Sequence, residues 1–265
     1  MNITIGRYLD VDSIIHRLNP KVKFLGFLVL IILLFLSNAW YYYTAIAGAV
    51  LVIAMLARIP IKVVWQGIYS LRFLILIMFV FNLFFSQTGN LLWEFGFIKI
   101  YDESLVRVTV LIVRLILMIT LASILTLTTK PLDLTAGLED LMQPLKVVRF
   151  PAGDVALMIS IALRFIPTLT DEADKIMKAQ ASRGASLSEG KIATRIRHFV
   201  SLLIPLFVIS FRRAENLGIA MEARGYRSSE GRTRLYELKW TRLDIWAMII
   251  LAVASAAFVA LAFLV

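Results

Sequence analysis

The sequence predicts an all-α membrane protein with about five transmembrane helices and a cytoplasmic or membrane-surface domain of three amphipathic helices. Three observations predict it. The chain of 265 residues is 60% hydrophobic and 17% charged, with a mean hydropathy of +0.82, whereas soluble domains carry roughly a quarter charged residues. Uncharged runs of membrane length recur along it. Between the fourth run and the last lies a region, 129–242, with 18 Lys/Arg against 12 Asp/Glu, too polar to be only lipid-embedded. The expected divisions are a four-span bundle over 1–128, the surface domain over 129–242 and a final membrane helix over 243–265.

Residues 1–23 are polar and basic. Phe24 to Ala57 then runs 34 residues without a formal charge. One span takes ~20 residues, so this run holds two short ones, near 23–39 and 41–57. The turn between them is marked by Ser37-Asn38 and by the Trp40–Tyr43 aromatic cluster, a composition typical of the membrane–water interface. Arg58, Lys62 and Arg72 make the next loop basic. Phe73 to Trp93 is uncharged and reads as the third span. A net acidic loop follows, with Glu94, Lys99, Asp102 and Glu103. The fourth span covers about 106–128 and the fifth Ile245 to Val265.

Charge asymmetry orients the spans. The N-terminal segment has four Lys/Arg and the 58–72 loop three, while the 37–43 turn has none and the 87–104 loop one. Basic residues mark the cytoplasmic side, so the N-terminus is expected to be cytoplasmic and the C-terminus outside. The net charge of +10 fits the same picture of basic loops facing anionic lipid; no nucleic-acid motif is visible, and no nucleic-acid partner is expected. Arg114 falls inside the fourth span. Intramembrane charges face protein or water, and three readings stay open for it: a pathway residue, a packed structural pair, or a snorkelling side chain.

Within 129–242, three helices follow from periodicity. Leu134, Leu138, Leu141, Met142 and Leu145 mark the first, with Pro144 near its end. Met158, Ala162, Phe165, Leu169 and Ile176 mark the second. Ile192, Ile196, Phe199, Leu203 and Phe207 mark the third. Pro167 and Pro205 are expected to kink the second and third. The apolar stretches 155–169 and 199–211 are short for spans and fit helices lying in or just under the membrane.

The second and third helices each end in an Arg-Gly pair: Ser182-Arg183-Gly184 and Ala223-Arg224-Gly225. Superposing the arginines aligns Ala173 with Ala214, Asp174 with Glu215, Ile176 with Leu217 and Ala179 with Ala220. Glycine is favoured just past a helix end and a cation suits the last turn, so one such end is ordinary helix chemistry. Two in register point to two similar surfaces for two similar partners.

Catalytic and cofactor chemistry finds little support. There are no cysteines and only two histidines, His16 and His198, neither with a neighbour at ligand spacing. Gly184 to Lys191 approaches a phosphate-binding loop, but five residues separate its glycines instead of four, and Ile192 stands where Ser or Thr is needed. ATP binding by this chain is not expected.

The segments Ile5-Gly6-Arg7-Tyr8, Asp12-Ser13 and His16 to Lys23 resemble the start of the transmembrane T component of energy-coupling factor (ECF) transporters. Thr128 to Pro131, Pro144-Leu145-Lys146, Ile159 to Pro167 and the two Arg-Gly ends continue the resemblance in order over nearly the whole chain. Ser182 stands where that family often has Ala, and Asn19 where Asp is common before Pro20. The resemblance implies a non-catalytic subunit of the bacterial cell membrane with no cofactor of its own. It implies two cytoplasmic ATP-binding-cassette ATPases, which hold the ATP and Mg, and a small membrane S component that captures a vitamin or metal ion. The two near-equal motifs favour two near-equal ATPases, a heterodimer. Ser182, Arg183, Gly184, Ala223, Arg224 and Gly225 are the implied ATPase-docking residues. The 159–184 region is closest to the shared, group II type that serves vitamin uptake. The alternatives are a dedicated cobalt or nickel T subunit and a permease with its own pathway.

Overall fold

The computed structural model describes residues 8–37, 39–85, 91–95, 98–142, 144, 151–184, 192–226 and 240–263. Among these, ten helices and one hairpin follow in chain order: α1 Ile14–Arg17, α2 Pro20–Leu34, α3 Trp40–Leu56, α4 Ile61–Ser70, α5 Arg72–Phe85, β1 Leu91–Phe95, β2 Ile98–Tyr101, α6 Asp102–Thr128, α7 Pro131–Met142, α8 Ala152–Ser182, α9 Ile192–Ala223 and α10 Arg242–Phe263. The chain divides into two compact units, Gly6–Leu138 with Leu238–Val265, and Glu139–Glu237.

In the first unit, local chemistry sets the helix starts. Pro20 occupies the first turn of α2 and the Asn19 side chain accepts from the Lys21 amide at 3.0 Å, which satisfies one of the amides left open at a helix start. At α10, Asp244 accepts from the Thr241 amide and from its hydroxyl, both at 2.8 Å, and so fixes the residue that precedes the helix. The other oxygen of Asp244 accepts from the Asn19 amide at 2.7 Å. One fully buried carboxylate therefore joins the starts of α2 and α10.

The same side of the unit gathers other ends. Lys23 Nζ donates to the carbonyls of Thr128 at 2.8 Å and His16 at 3.1 Å. Leu9 donates its amide to the Leu127 carbonyl at 3.0 Å, and Arg58 reaches the Asp12 carbonyl. The starts of α2 and α10 and the ends of α3 and α6 thus share one basic side. At the other side, the Tyr42 and Tyr43 hydroxyls, in the first turn of α3, donate to the last carbonyls of α2, Leu33 at 2.7 Å and Leu34 at 3.0 Å. Those carbonyls have no partner within their own helix, so the aromatic cluster closes the α2–α3 hairpin. Between the two sides, Leu33, Leu34, Tyr42, Ile46 and Val50 pack with Leu117, Leu121 and Ile124 of α6.

Several expected spans change in extent. The basic 58–72 loop contains a helix, α4, bent by 54° from α5. The third expected span, 73–93, stops as helix at Phe85, and Leu91–Phe95 pairs as a strand with Ile98–Tyr101. A continuous uncharged run does not distinguish helix from strand; the pairing partner downstream of it does. By length and composition α6, α8 and α10 suffice to cross a membrane, and the bent α4–α5 pair makes a fourth candidate. α2, expected over 23–39, has 15 residues and α3 has 17, and at ~1.5 Å per residue each is shorter than a ~30 Å hydrocarbon core. α8 qualifies although 155–169 reads as a surface stretch, because the helix continues to Ser182. Its first half is apolar, and Asp171, Glu172, Asp174, Lys175 and Lys178 fall in the second.

In the second unit α8 and α9 pack on each other. Both run through their prolines, Pro167 and Pro205, as interior residues. The Ile192–Phe207 stripe of α9 lies on its exposed side: Ile196 is 58% and Phe207 68% exposed. The more buried face is instead Ser201, Leu202, Pro205, Leu206, Ile209, Arg213 and Leu217, the positions a helical period places opposite. Leu145, Lys146 and the Ile5-Gly6-Arg7 segment lie outside the described residues.

Candidate functional site: the paired Arg-Gly helix ends

α8 and α9 finish with the same backbone geometry. Gly184 has φ +84° and Gly225 φ +74°, the left-handed conformation that lets a helix stop and turn away at no steric cost only for glycine. The Gly184 amide donates to the Ala181 carbonyl at 2.9 Å, and the Gly225 amide to Glu222 at 2.8 Å. At the second end the Tyr226 amide also reaches back to Met221 at 3.0 Å. These two bonds form a Schellman cap. The corresponding donor of the first end is Ala185, which lies outside the described residues, as does the rest of the phosphate-loop near miss.

Both ends are exposed from Ser182 to Gly184 and from Glu222 to Gly225. A Cβ added at either glycine would meet nothing within 4 Å among the described residues, and the positive φ by itself calls for glycine. Among the described residues neither Arg183 nor Arg224 has an ion-pair partner. Each guanidinium stands in the residue after the last turn, where the partial negative charge of the helix end favours a cation and where its planar fork of donors is open to a carboxylate. The neighbours differ in one respect. The Ser182 hydroxyl donates to the Lys178 carbonyl at 3.0 Å, and Ala223 has no hydroxyl to do so.

One contact between the helices was not read from sequence. Arg213 Nη2 lies 3.0 Å from Glu172 Oε1, and Lys175 adds a looser contact to the same carboxylate at 3.5 Å. Glu172 and Arg213 are the same distance apart in sequence as Arg183 and Arg224, so they occupy equivalent positions of the repeat. The two helices meet at matched points, and each runs 11 residues further to its arginine, ~16 Å along the axis. The signal was present as opposite charges at equal offset, but the alignment of like residues passes over it.

Arg114 belongs to the other unit. Its Nε donates to the Tyr43 hydroxyl at 2.9 Å, its Nη2 approaches the same oxygen, and its guanidinium lies 4.8 Å from the Phe35 ring centre. These contacts fit the packed structural reading; Arg114 also lines a cavity of about 590 Å³ with Asp102, Glu103 and Arg107, so the pathway reading stays open. Among the described residues no group of three His, Asp or Glu side chains converges as a metal-ligand set.

The fold and these ends define an integral membrane protein that presents a duplicated, cationic helix terminus. Comparison with known proteins places it further. A family described as cobalt transport protein (CbiQ) matches residues 12–235. The energy-coupling factor transporter transmembrane protein EcfT of Listeria innocua is 41% identical, over 95% of this chain and 95% of that protein. The Bacillus subtilis protein of the same name is 38% identical over 96% of each chain, and that of Thermosediminibacter oceani 43% over 96% of each. The chain belongs to this family of transmembrane components of energy-coupling factor transporters: it is a non-catalytic transporter subunit of the cell membrane.

Proposed function

We propose that this subunit is the scaffold that couples ATP hydrolysis by two cytoplasmic ATP-binding-cassette ATPases to reorientation of a small membrane S component, and that it serves vitamin uptake as the shared type. The observation that carries the proposal is the pair of exposed helix ends with matching left-handed caps and two arginines without ion-pair partners among the described residues. A duplicated end calls for a duplicated partner. In this reading Ser182, Arg183 and Gly184 dock in a groove of one ATPase, and Ala223, Arg224 and Gly225 in that of the other. The difference between Ser182 and Ala223 fits a heterodimer.

In this reading the chain crosses the membrane five times, by α6, α10, the bent α4–α5 pair and the two short helices α2 and α3, while α8, which also has the length to cross, belongs to the coupling region. The end contacts of the first unit support this, because α2 and α10 start where α3 and α6 end. That side carries Arg17, Lys21, Lys23, Arg58 and Lys130 and is cytoplasmic by the positive-inside rule. The bundle occupies 1–128, the coupling region 129–242 and the last helix 243–265. The exposed apolar stripe of α9, from Ile192 to Phe207, offers re-packable surface to an S component. ATP and Mg belong to the ATPases.

The description of the matching family as cobalt transport protein favours a second reading, a dedicated cobalt or nickel subunit. Affinity capture of this chain from its own membranes separates the two: several different S components support the shared type, and one metal-specific component the dedicated type. The coupling role is tested by R183A, R224A and the double variant. Each single change is expected to weaken ATPase association by about tenfold or more, the loss of a charge-assisted contact. Unchanged assembly and transport in all three variants would refute the docking role.

A further inference from the structure

Helix α4 has a face that the coupling reading does not use. Its inner positions, Val64, Gly67 and Ile68, are half-buried, and Gly67 is set against Ser123 and Ile119 of α6. Its outer stripe is Lys62, Trp65 and Tyr69, and Arg72 follows three residues on as the first residue of α5; all four are exposed. Trp65 is 64% and Tyr69 57% exposed. The Arg72 guanidinium lies 4.2 Å from the Tyr69 ring centre and also donates to its hydroxyl. Only part of its donor set is used in this way.

The stripe continues beyond the 54° bend. After Arg72 the exposed side chains of α5 are purely apolar, with Phe73 70% and Leu76 56% exposed. Cations and amphipathic aromatics therefore run along α4 to the first residue of α5, and hydrocarbon follows immediately. The chain enters α4 from Arg58, which is tied to the Asp12 carbonyl on the basic side of the unit.

We infer that the Lys62–Trp65–Tyr69–Arg72 stripe is a binding site for an anionic phospholipid of the cytoplasmic leaflet. The headgroup phosphate lies between Lys62 and Arg72, and the acyl chains run down Phe73 and Leu76. Charge complementarity and the order of polarity select this occupant. A protein partner bound through apolar packing would not need a cation at both ends, and a zwitterionic lipid would not use the charge. Trp and Tyr belong at this depth of the bilayer, and basic residues near the surface attract anionic lipid. The inference rests on the orientation of the bundle and not on the ATPase contacts.

The test uses the full-length chain in phosphatidylcholine vesicles, with Trp40, Trp93, Trp240 and Trp246 changed to Phe so that Trp65 alone reports. Quenching by brominated phosphatidylglycerol is compared with quenching by brominated phosphatidylcholine at equal mole fraction. The expected preference for the anionic lipid is about threefold or more, since each nearby cation attracts acidic headgroups, and K62Q/R72Q should reduce it to unity without changing quenching by phosphatidylcholine. Equal quenching by both lipids in the parent chain, a preference that survives K62Q/R72Q, or shielding of Trp65 from both lipids overturns the inference. Should the tryptophan-depleted chain fail to fold, native mass spectrometry of the unmodified chain and of K62Q/R72Q counts retained phosphatidylglycerol. Equal retention by the two likewise overturns it.

Discussion

Glu172 and Arg213 form an ion pair of 3.0 Å between α8 and α9, and their separation of 41 positions is also the offset between Arg183 and Arg224. The pair therefore marks a crossing point from which two arms of equal length lead to Arg183 and Arg224.

This relationship makes a prediction about coupling. Both side chains are partly shielded, at 34% and 23% exposure, so the pair should contribute about 1 kcal/mol, at the upper end for exposed pairs. E172Q and R213Q should each lower thermal stability slightly while reducing transport more than assembly. The charge swap E172R/R213E should recover most of the loss. Additive defects in the swap would show that the two residues do not act together.

The glycines predict a purely conformational effect. G184A and G225A place a Cβ in open space but force it into the left-handed region, at a cost of ~1–2 kcal/mol. The last turn should fray and redirect the arginine. Hydrogen exchange at residues 180–184 and 221–226 should rise, and ATPase affinity should fall, with membrane insertion unchanged. Asn, which tolerates this conformation better, should be milder than Ala at both positions.

Asp244 predicts a stability defect remote from the docking ends. D244N keeps the shape but weakens three hydrogen bonds that hold the starts of α2 and α10. Bonds to a charged acceptor are worth ~1.5–3 kcal/mol, so a loss of about 2 kcal/mol or more is expected, with D244A worse. Thermal denaturation in detergent measures it. ATPase affinity, extrapolated to the folded fraction, should be close to that of the parent.

Arg114 separates a structural role from a transport pathway. R114M removes its bond to Tyr43 and its stacking on Phe35 and should destabilise the bundle by about 1–2 kcal/mol, the cost of leaving a buried hydroxyl with one partner fewer. Substrate specificity of the assembled transporter should not change. A specificity change in R114M, or solute flux through the isolated chain in liposomes, would favour the permease reading instead.

Much of this protein is legible in its sequence because the solvent does the reading. A membrane core excludes charge, so uncharged runs located α3, α6 and α10 to within a few residues. The left-handed glycines after Arg183 and Arg224 were likewise readable, because backbone sterics at a helix end depend on local residues alone. Tertiary structure decided the rest. Hydrophobicity carries no information on where an uncharged run bends or pairs, so the α4–α5 break and the Leu91–Phe95 strand emerged only from packing and hydrogen bonding. Periodicity found the apolar stripe of α9, but only the position of α8 shows that the opposite face is the one this chain buries. The Glu172–Arg213 crossing and the Asp244 junction join residues 41 and 225 positions apart. Such contacts depend on which helices lie side by side, a result of the whole packing and not of any one segment.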